Sequence, residues 1–252
     1  MNIFRKQPDL ISMHLIGESR EINNVNERND VPPPLFARMV CEFLGTCLFI
    51  FFGAGCAAKS TDLLTVSAAH GISALWLVYM FGPISGGHFN AGATIVFSIH
   101  ERMRFVETLG YLGAQALGSL FSGALLLWLY GTSSSLGTPA LKNPDSLMHG
   151  FAIEFVCTII LSFVLFFTKT YTSQKEGALV VGSVVFSSFL LGGDVDGAAL
   201  NPWRWLGPAV ASRSFKQQAW IYSAGPIAGF IVGYVVFLLY RSICKGKLHF
   251  RD

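Results

Sequence analysis

The sequence predicts an all-α membrane protein with six transmembrane helices and two short re-entrant half-helices, arranged as an inverted internal repeat. Three observations support this fold class. Of the 252 residues, 52% are hydrophobic and only 13% are charged, whereas about 25% are charged in a typical soluble domain. The apolar residues fall into six runs long enough to cross a bilayer. The two halves of the chain also repeat the spacing between an acidic residue and an asparagine.

Composition along the chain predicts three regions. Residues 1–35 are polar, of mixed charge and without the apolar stretch of a signal peptide, so they predict an N-terminal tail. A membrane domain occupies 36–240, with repeat one over 36–130 and repeat two over 149–240, and residues 241–252 form a C-terminal tail. Each span approaches the roughly 20 residues that cross a core of about 30 Å. The predicted spans are 36–58, 63–84, 106–130, 149–168, 177–193 and 219–240.

The distribution of basic residues predicts the orientation. Thirteen Lys and Arg residues lie on one side of the predicted spans and five lie on the other. Because basic residues are retained on the cytoplasmic side, we expect both termini in the cytoplasm. We expect a multi-pass protein embedded in the lipid bilayer, in the plasma membrane rather than an internal membrane.

Two connections are too apolar for aqueous loops. Residues 85–100 and 194–215 are too short to cross a bilayer twice, but Ala91–Ile99 and Pro202–Val210 would each form two to three helical turns. Short helices that enter from opposite faces fit this pattern. Non-helical backbone at such depth must be buried in protein or line a cavity.

The repeat is visible in the spacing of polar residues. Glu42 precedes Asn90 by 48 residues, and Glu154 precedes Asn201 by 47. Three spans per copy is an odd number, so the second copy is inverted, and the functional site is expected between the copies near the midplane. We interpret Glu42 and Glu154 as half-helix supports that bind the backbone of the re-entrant loops. A proton relay is the alternative, because intramembrane acids are functional by default.

Several classes of function are excluded. The net charge of +3 comes without a basic stripe, which argues against a nucleic-acid partner. The five cysteines are odd in number and form no CxxC pair, which argues against a disulfide framework and a zinc site. No nucleophile–base pair or metal cluster is evident, so we expect neither an enzyme nor a cofactor or metal.

Five motifs, read together, are specific. They are Glu42-Phe43-Leu44-Gly45-Thr46, Ser85-Gly86-Gly87-His88-Phe89-Asn90, Ala114-Gln115-Ala116-Leu117-Gly118, Asn201-Pro202-Trp203-Arg204 and Gly225-Pro226. Over residues 37–240 the chain resembles the major intrinsic protein family, the aquaporins and aquaglyceroporins. The resemblance implies an aquaporin-like fold and a homotetramer with one pore per subunit.

The resemblance places Asn90 and Asn201 at the pore midplane. In the family, each carboxamide donates to the passing water and each half-helix directs its positive end there, which repels cations and interrupts proton relay. The family signature reads Asn-Pro-Ala, whereas this chain has Asn90-Ala91-Gly92 and Asn201-Pro202-Trp203. Gly92 is expected to weaken its half-helix, and Trp203 is expected to face lipid or a neighbouring helix.

The resemblance also implies a selectivity filter nearer the outer mouth, formed by His70, Phe189, Ala198 and Arg204. Water-selective members commonly carry Phe and His at the first two positions, and here the two are transposed. We expect His70 to offer one donor and one acceptor to water, and Asp196 to be able to bond Arg204. Packing in the core is the alternative role for His70 and Phe189.

These features predict a passive transmembrane water channel that conducts in single file and excludes protons and ions. One alternative is a broader facilitator of small neutral solutes, namely glycerol, urea, ammonia or hydrogen peroxide. Another is a low-conductance junctional or scaffold membrane protein. Gly225, Gly229 and Gly233 could form a dimerisation face, but we expect them to pack within the monomer.

Overall fold

Helices account for all the regular structure in the computed structural model, which describes residues 32–132, 135–215 and 217–244. The predicted cytoplasmic N-terminal tail, apart from its last few residues, and most of the C-terminal tail lie outside the described residues.

Among the described residues, six α-helices are long and apolar enough to cross a membrane and two are short, while Pro144–Ser146 and Gln217–Trp220 form 3₁₀ turns. The short ones each follow the second long helix of a repeat. The long helices are α1 (Leu35–Lys59), α2 (Leu63–Ser85), α4 (Phe105–Tyr130), α5 (Leu147–Tyr171), α6 (Gln174–Gly192) and α8 (Ile221–Ile243). The short helices are α3 (Ala91–His100) and α7 (Pro202–Ser212). The predicted fold class is confirmed.

Helices α5 and α6 extend further toward each other than the apolar runs predict. Helix α5 continues through Lys169 and Thr170 to Tyr171, where the Thr172 N–H donates to the Thr168 carbonyl at 3.0 Å. Ser173 caps the start of α6, because its hydroxyl accepts from Glu176 N while the Glu176 carboxylate accepts from Ser173 N. This capping box satisfies backbone donors at the helix start with polar residues that a hydropathy argument does not count.

Packing repeats the same pattern in both halves. Helix α1 packs against α2 and α4, α5 packs against α6 and α8, and α2 meets α6 across the two halves. A Cβ on Gly118 would overlap the Phe43 carbonyl oxygen, and one on Gly229 would overlap that of Phe155. The two contacts are equivalent in the repeat. Since Gly225, Gly229 and Gly233 all contact α5, this stripe packs within the monomer, as expected.

Large apolar side chains also cover the outer surface of the long helices. Phe36, Trp128 and Ile243 are each more than three-quarters exposed. A soluble monomer rarely displays such extended apolar surface, whereas a bilayer accommodates it.

Candidate pore and constriction

The two short helices begin at Asn90 and Asn201, whose side chains cap them. Each Oδ1 accepts from the backbone N–H two residues further on, at 3.0 Å. Each Nδ2 crosses to the other repeat, since Asn90 donates to the Leu200 carbonyl at 2.8 Å and Asn201 donates to the Phe89 carbonyl at 2.7 Å. An amide nitrogen carries two hydrogens, so one N–H of each asparagine is left to donate to a molecule beside it.

Both asparagines line a cavity whose walls are otherwise largely apolar. Helices from both repeats supply these walls. The apolar lining includes Phe49, Val78, Leu161, Val181, Val185 and Phe230. The polar groups that can orient a water molecule there are the two amides, the His88 ring and the backbone of the two loops that share this lining.

Glu42 supports the first half-helix with a fully bonded carboxylate. It is inaccessible to solvent. Its Oε1 accepts from Ser85 Oγ at 2.7 Å and from His88 N at 3.0 Å. Its Oε2 accepts from Phe89 N at 2.8 Å and from Gln115 Nε2 at 2.7 Å. Two of its four donors are N–H groups of the loop before the first half-helix, so the geometry favours the prediction that Glu42 supports this loop.

Glu154 occupies the equivalent place in repeat two with fewer donors. It is equally buried, and its two oxygens accept from Ala199 N at 2.6 Å and from Leu200 N at 2.7 Å. The position corresponding to Gln115 is Pro226, which has no side-chain donor. The two supports therefore share their backbone bonds and differ in their side-chain partners.

The unusual residues of the two signature motifs match the sizes of their neighbours. A Cβ on Gly92 would overlap the ring of Phe230, so the absence of a side chain on Gly92 makes room for that ring. Trp203, at the same position of repeat two, directs its indole N–H to Gln115 Oε1 on α4 at 2.9 Å. Trp203 thus contacts a neighbouring helix, as expected, and Gly92 has a packing role that the sequence did not indicate.

A second cluster joins three of the four expected filter residues. The rings of His70 and Phe189 stack with centroids 3.7 Å apart and planes at 20°. Arg204 Nε donates to His70 Nε2 at 3.0 Å, and its guanidinium carbon lies 5.8 Å from the centre of the Phe189 ring. Ala198 is buried in the loop that leads to Asn201. All four residues are nearly inaccessible to solvent.

The hydrogen bonds of His70 differ from the expectation. His70 Nδ1 lies 2.9 Å from the Val66 carbonyl, which can only accept, so Nδ1 carries the proton and Nε2 accepts from Arg204. Both ring nitrogens are therefore bonded within the protein, and the prediction that they are offered to water is wrong. The ring instead orients the guanidinium group.

The second hydrogen bond of Arg204 goes to a backbone carbonyl in the connection between α4 and α5. Its Nη1 donates to the Gly137 carbonyl at 2.8 Å. Asp196 makes no hydrogen bond to Arg204 in the described residues, because its Oδ1 accepts from Ala198 N instead, at 2.9 Å. The possibility that Asp196 bonds Arg204 is not realised. Gly137 has a φ of +66°, and a Cβ there would overlap the Ala54 carbonyl, so glycine is required for this carbonyl to reach Arg204.

Comparison with known proteins decides the family. The family model described as "Major intrinsic protein" matches residues 32–237. This chain belongs to the major intrinsic protein family. It is 30% identical to Nodulin-26 of Glycine max over 92% of this chain and 88% of the relative. It is 33% identical to Aquaporin NIP1-2 of Arabidopsis thaliana over 84% and 76%, respectively.

A solved structure supports the fold independently. The aquaglyceroporin from Plasmodium falciparum superposes with a TM-score of 0.70 at 24% identity, covering 84% of this chain and 98% of that one. This major intrinsic protein is therefore a membrane channel protein of that family and not an enzyme.

In this family member, the cluster of His70, Phe189 and Arg204 lies between two cavities. Phe189 lines the central cavity together with the asparagines. Arg204 and Gly137 line a second cavity, which the connection between α1 and α2 borders through Ser60 and Thr61. The stacked rings and the guanidinium group thus form the partition between them.

Two residues of the site escaped the sequence argument. The Gly137 carbonyl binds Arg204 from a loop that carries no recognised motif, and the sequence marks this position only by a glycine. Gln115 was recognised only as part of a family motif. It bonds Glu42, Thr94 and Trp203, and so joins a half-helix of each repeat. No group of three or more metal-ligating side chains occurs among the described residues.

Proposed function

We propose that this chain is a passive water channel that conducts in single file and excludes protons, ions and glycerol. The observation that carries the proposal is the cluster of two stacked rings and Arg204 beside the asparagine pair. The rings occupy space that a wider solute would need. The fixed guanidinium group opposes the entry of cations.

The asparagine pair supplies the proton barrier in this proposal. Asn90 and Asn201 each have one N–H left after their caps and crossed bonds. A water oxygen that accepts from both points its hydrogens outward on either side, so it cannot pass a proton along the file. The positive ends of the two half-helices meet at the same place and add to the barrier against cations.

Other parts of the proposal rest on the sequence and the family. Both termini lie in the cytoplasm, and the plasma membrane is the expected location. The channel domain spans 36–240, and the protein assembles as a homotetramer with one pore in each subunit. Glu42 and Glu154 hold the half-helices in place, while His70, Phe189, Ala198 and Arg204 select the solute.

The test is stopped-flow light scattering of proteoliposomes with a known number of channels per vesicle. Fast shrinkage in a sucrose gradient, together with glycerol entry no faster than in empty vesicles, is the expected result. Rapid entry of glycerol, urea, ammonia or hydrogen peroxide would favour the broader facilitator. Water flux equal to that of empty vesicles would favour the junctional or scaffold protein. A pH-sensitive dye inside the same vesicles should show no proton leak above background.

A further inference from the structure

The loop before the first half-helix is bonded through the hydroxyl of Ser85. Its Oγ accepts from Gly87 N at 3.1 Å and donates to Glu42 Oε1 at 2.7 Å. Its backbone carbonyl accepts from the hydroxyl of Tyr111 at 2.8 Å. The hydroxyl of Ser85 therefore accepts a hydrogen bond from a loop N–H and donates one to Glu42.

The loop before the second half-helix repeats this arrangement with an acid in place of the serine. Asp196 lies five residues before its asparagine, as Ser85 does. Its Oδ1 accepts from Ala198 N at 2.9 Å, and its carbonyl accepts from the Tyr222 hydroxyl at 2.9 Å. Asp196 binds the N–H of Ala198 and Glu154 binds the next two N–H groups of the same loop, which places the two carboxyl groups side by side. The bonds of Ser85 are thus reproduced, apart from the donation to the acid.

That missing donation leaves a buried polar atom without a partner. Asp196 and Glu154 are both inaccessible to solvent. If both side chains are ionised, Asp196 Oδ2 has no hydrogen-bond donor among the described residues. Two ionised carboxylates repel each other and cannot bond, whereas one proton between them makes a short, strong hydrogen bond. Both oxygens of Glu154 already accept backbone N–H groups, so Asp196 Oδ2 is the atom placed to carry that proton.

We propose that Asp196 and Glu154 hold a single proton at neutral pH, and that the neutral Asp196 acts as a positioning residue for the filter. The O–H of Asp196 donates to Glu154 on helix α5. This bond anchors the loop that carries Ala198 and leads to Arg204. The role in selectivity rests on the proposed function, but the shared proton does not.

The surroundings of the pair both favour and oppose binding of the shared proton. Burial raises the pKa of the Asp196 carboxyl above its ordinary value, while the positive charge of Arg204 opposes that rise. Because the two acids interact, their titration belongs to the pair. The other ionisable groups nearby are Tyr222 on α8, Cys157 on α5, His70 through its bond to Arg204, and the exposed ion pair of Lys142 with Asp194.

The sign of the pH effect follows from this arrangement. Raising the pH removes the proton, deletes the bond between Asp196 and Glu154, and places a second negative charge in a buried site. That charge attracts Arg204 away from His70 and the Gly137 carbonyl. Glycerol exclusion should therefore be lost at alkaline pH and be intact at neutral pH.

Two variants and one matched control distinguish the effect of losing the shared proton from a general loss of structure. Asp196→Ser copies the residue of repeat one, and its hydroxyl can donate to Glu154 at every pH. Asp196→Asn keeps the size of the side chain and always carries an N–H. Asp194→Asn removes a carboxylate from the same loop at an exposed position, so it controls for the loss of charge.

The first measurement is infrared difference spectroscopy of the purified channel at neutral pH. The band of a protonated carboxyl group should be present in the wild type and in Asp194→Asn, and lost in Asp196→Ser and Asp196→Asn. An unchanged band in Asp196→Ser would overturn the shared proton. This measurement needs no flux.

The second measurement is the ratio of glycerol to water permeability as the pH is raised on both sides of the vesicle. The ratio should rise in the wild type and in Asp194→Asn, and stay flat in both Asp196 variants. A flat wild-type profile would overturn the positioning role. If the wild type admits glycerol at every pH while the infrared band behaves as expected, the proposed selectivity fails and the shared proton stands.

Discussion

Replacing Phe189 by alanine tests whether the stacked rings set the width of the constriction. The ring stacks on His70 at 3.7 Å and is about 1% exposed. Its removal costs about 0.5–1.5 kcal/mol of ring-to-ring attraction. Arg204 keeps its bonds to His70 and to the Gly137 carbonyl, so the fixed charge remains in place.

The two permeabilities should respond differently to this change. Because the fixed charge and the asparagine pair stay in place, water permeability per channel should change far less than glycerol permeability. A single methylene in a pocket already alters discrimination by about 10- to 200-fold. Removing a whole ring from the partition should therefore raise glycerol permeability by at least about tenfold.

The assay is stopped-flow glycerol and water flux, normalised to the number of folded channels. Normalisation matters because a buried Phe→Ala change costs about 3–5 kcal/mol of stability. Phe121→Ala is the control, since Phe121 lies on α4 with about half of its surface exposed. If Phe189→Ala admits no more glycerol than Phe121→Ala, then Phe189 does not line the aperture and the reasoning is refuted.

Three further predictions concern packing and are read from thermal unfolding in detergent. Gly92→Ala should lower the unfolding midpoint, because its methyl group overlaps the Phe230 ring and overpacking costs about 1–3 kcal/mol. Adding Phe230→Leu to the same chain should restore the midpoint, and a midpoint that stays low would argue against that contact. Gly229→Ala should lower the unfolding midpoint strongly because its Cβ meets the backbone of α5, whereas Gly113→Ala, with nothing within 4 Å, should leave the midpoint unchanged or raise it. Equal midpoints for the two variants would argue against the close contact at Gly229. Gln115→Leu should cost about 1–3 kcal/mol for each polar group it leaves unpaired, since it bonds an indole N–H and two oxygens; an unchanged midpoint would show that water replaces it.

The sequence predicted the helices and half-helices because hydropathy and spacing carry that information directly. The starts of α3 and α7 were placed correctly, since an asparagine cap has a local signature. Glu42 and Glu154 can be recognised as a pair because the repeat puts them at nearly the same distance from their asparagines. These features depend on residues close in sequence or on a regular period.

The connections within the constriction could not be predicted in the same way. The partner of Arg204 is a backbone carbonyl at Gly137, and any residue type offers a carbonyl. The tautomer of His70 depends on Val66, one helical turn away, and on Arg204, 134 residues away. Asp196 was assigned to the wrong neighbour because charge alone favoured Arg204, whereas the loop geometry directs it to a backbone N–H.

The crossed amide bonds have a consequence for how the chain is made. Asn90 binds a carbonyl 110 residues later in the sequence, and Asn201 binds one 112 residues earlier. At a synthesis rate of about 5–20 residues per second, the ribosome needs roughly 5–20 s to supply the partner of Asn90. During that interval Glu42 can already hold the first loop within repeat one, but the first half-helix has no counterpart. The pore is therefore completed late, when the second half-helix enters and the two asparagines form their crossed bonds.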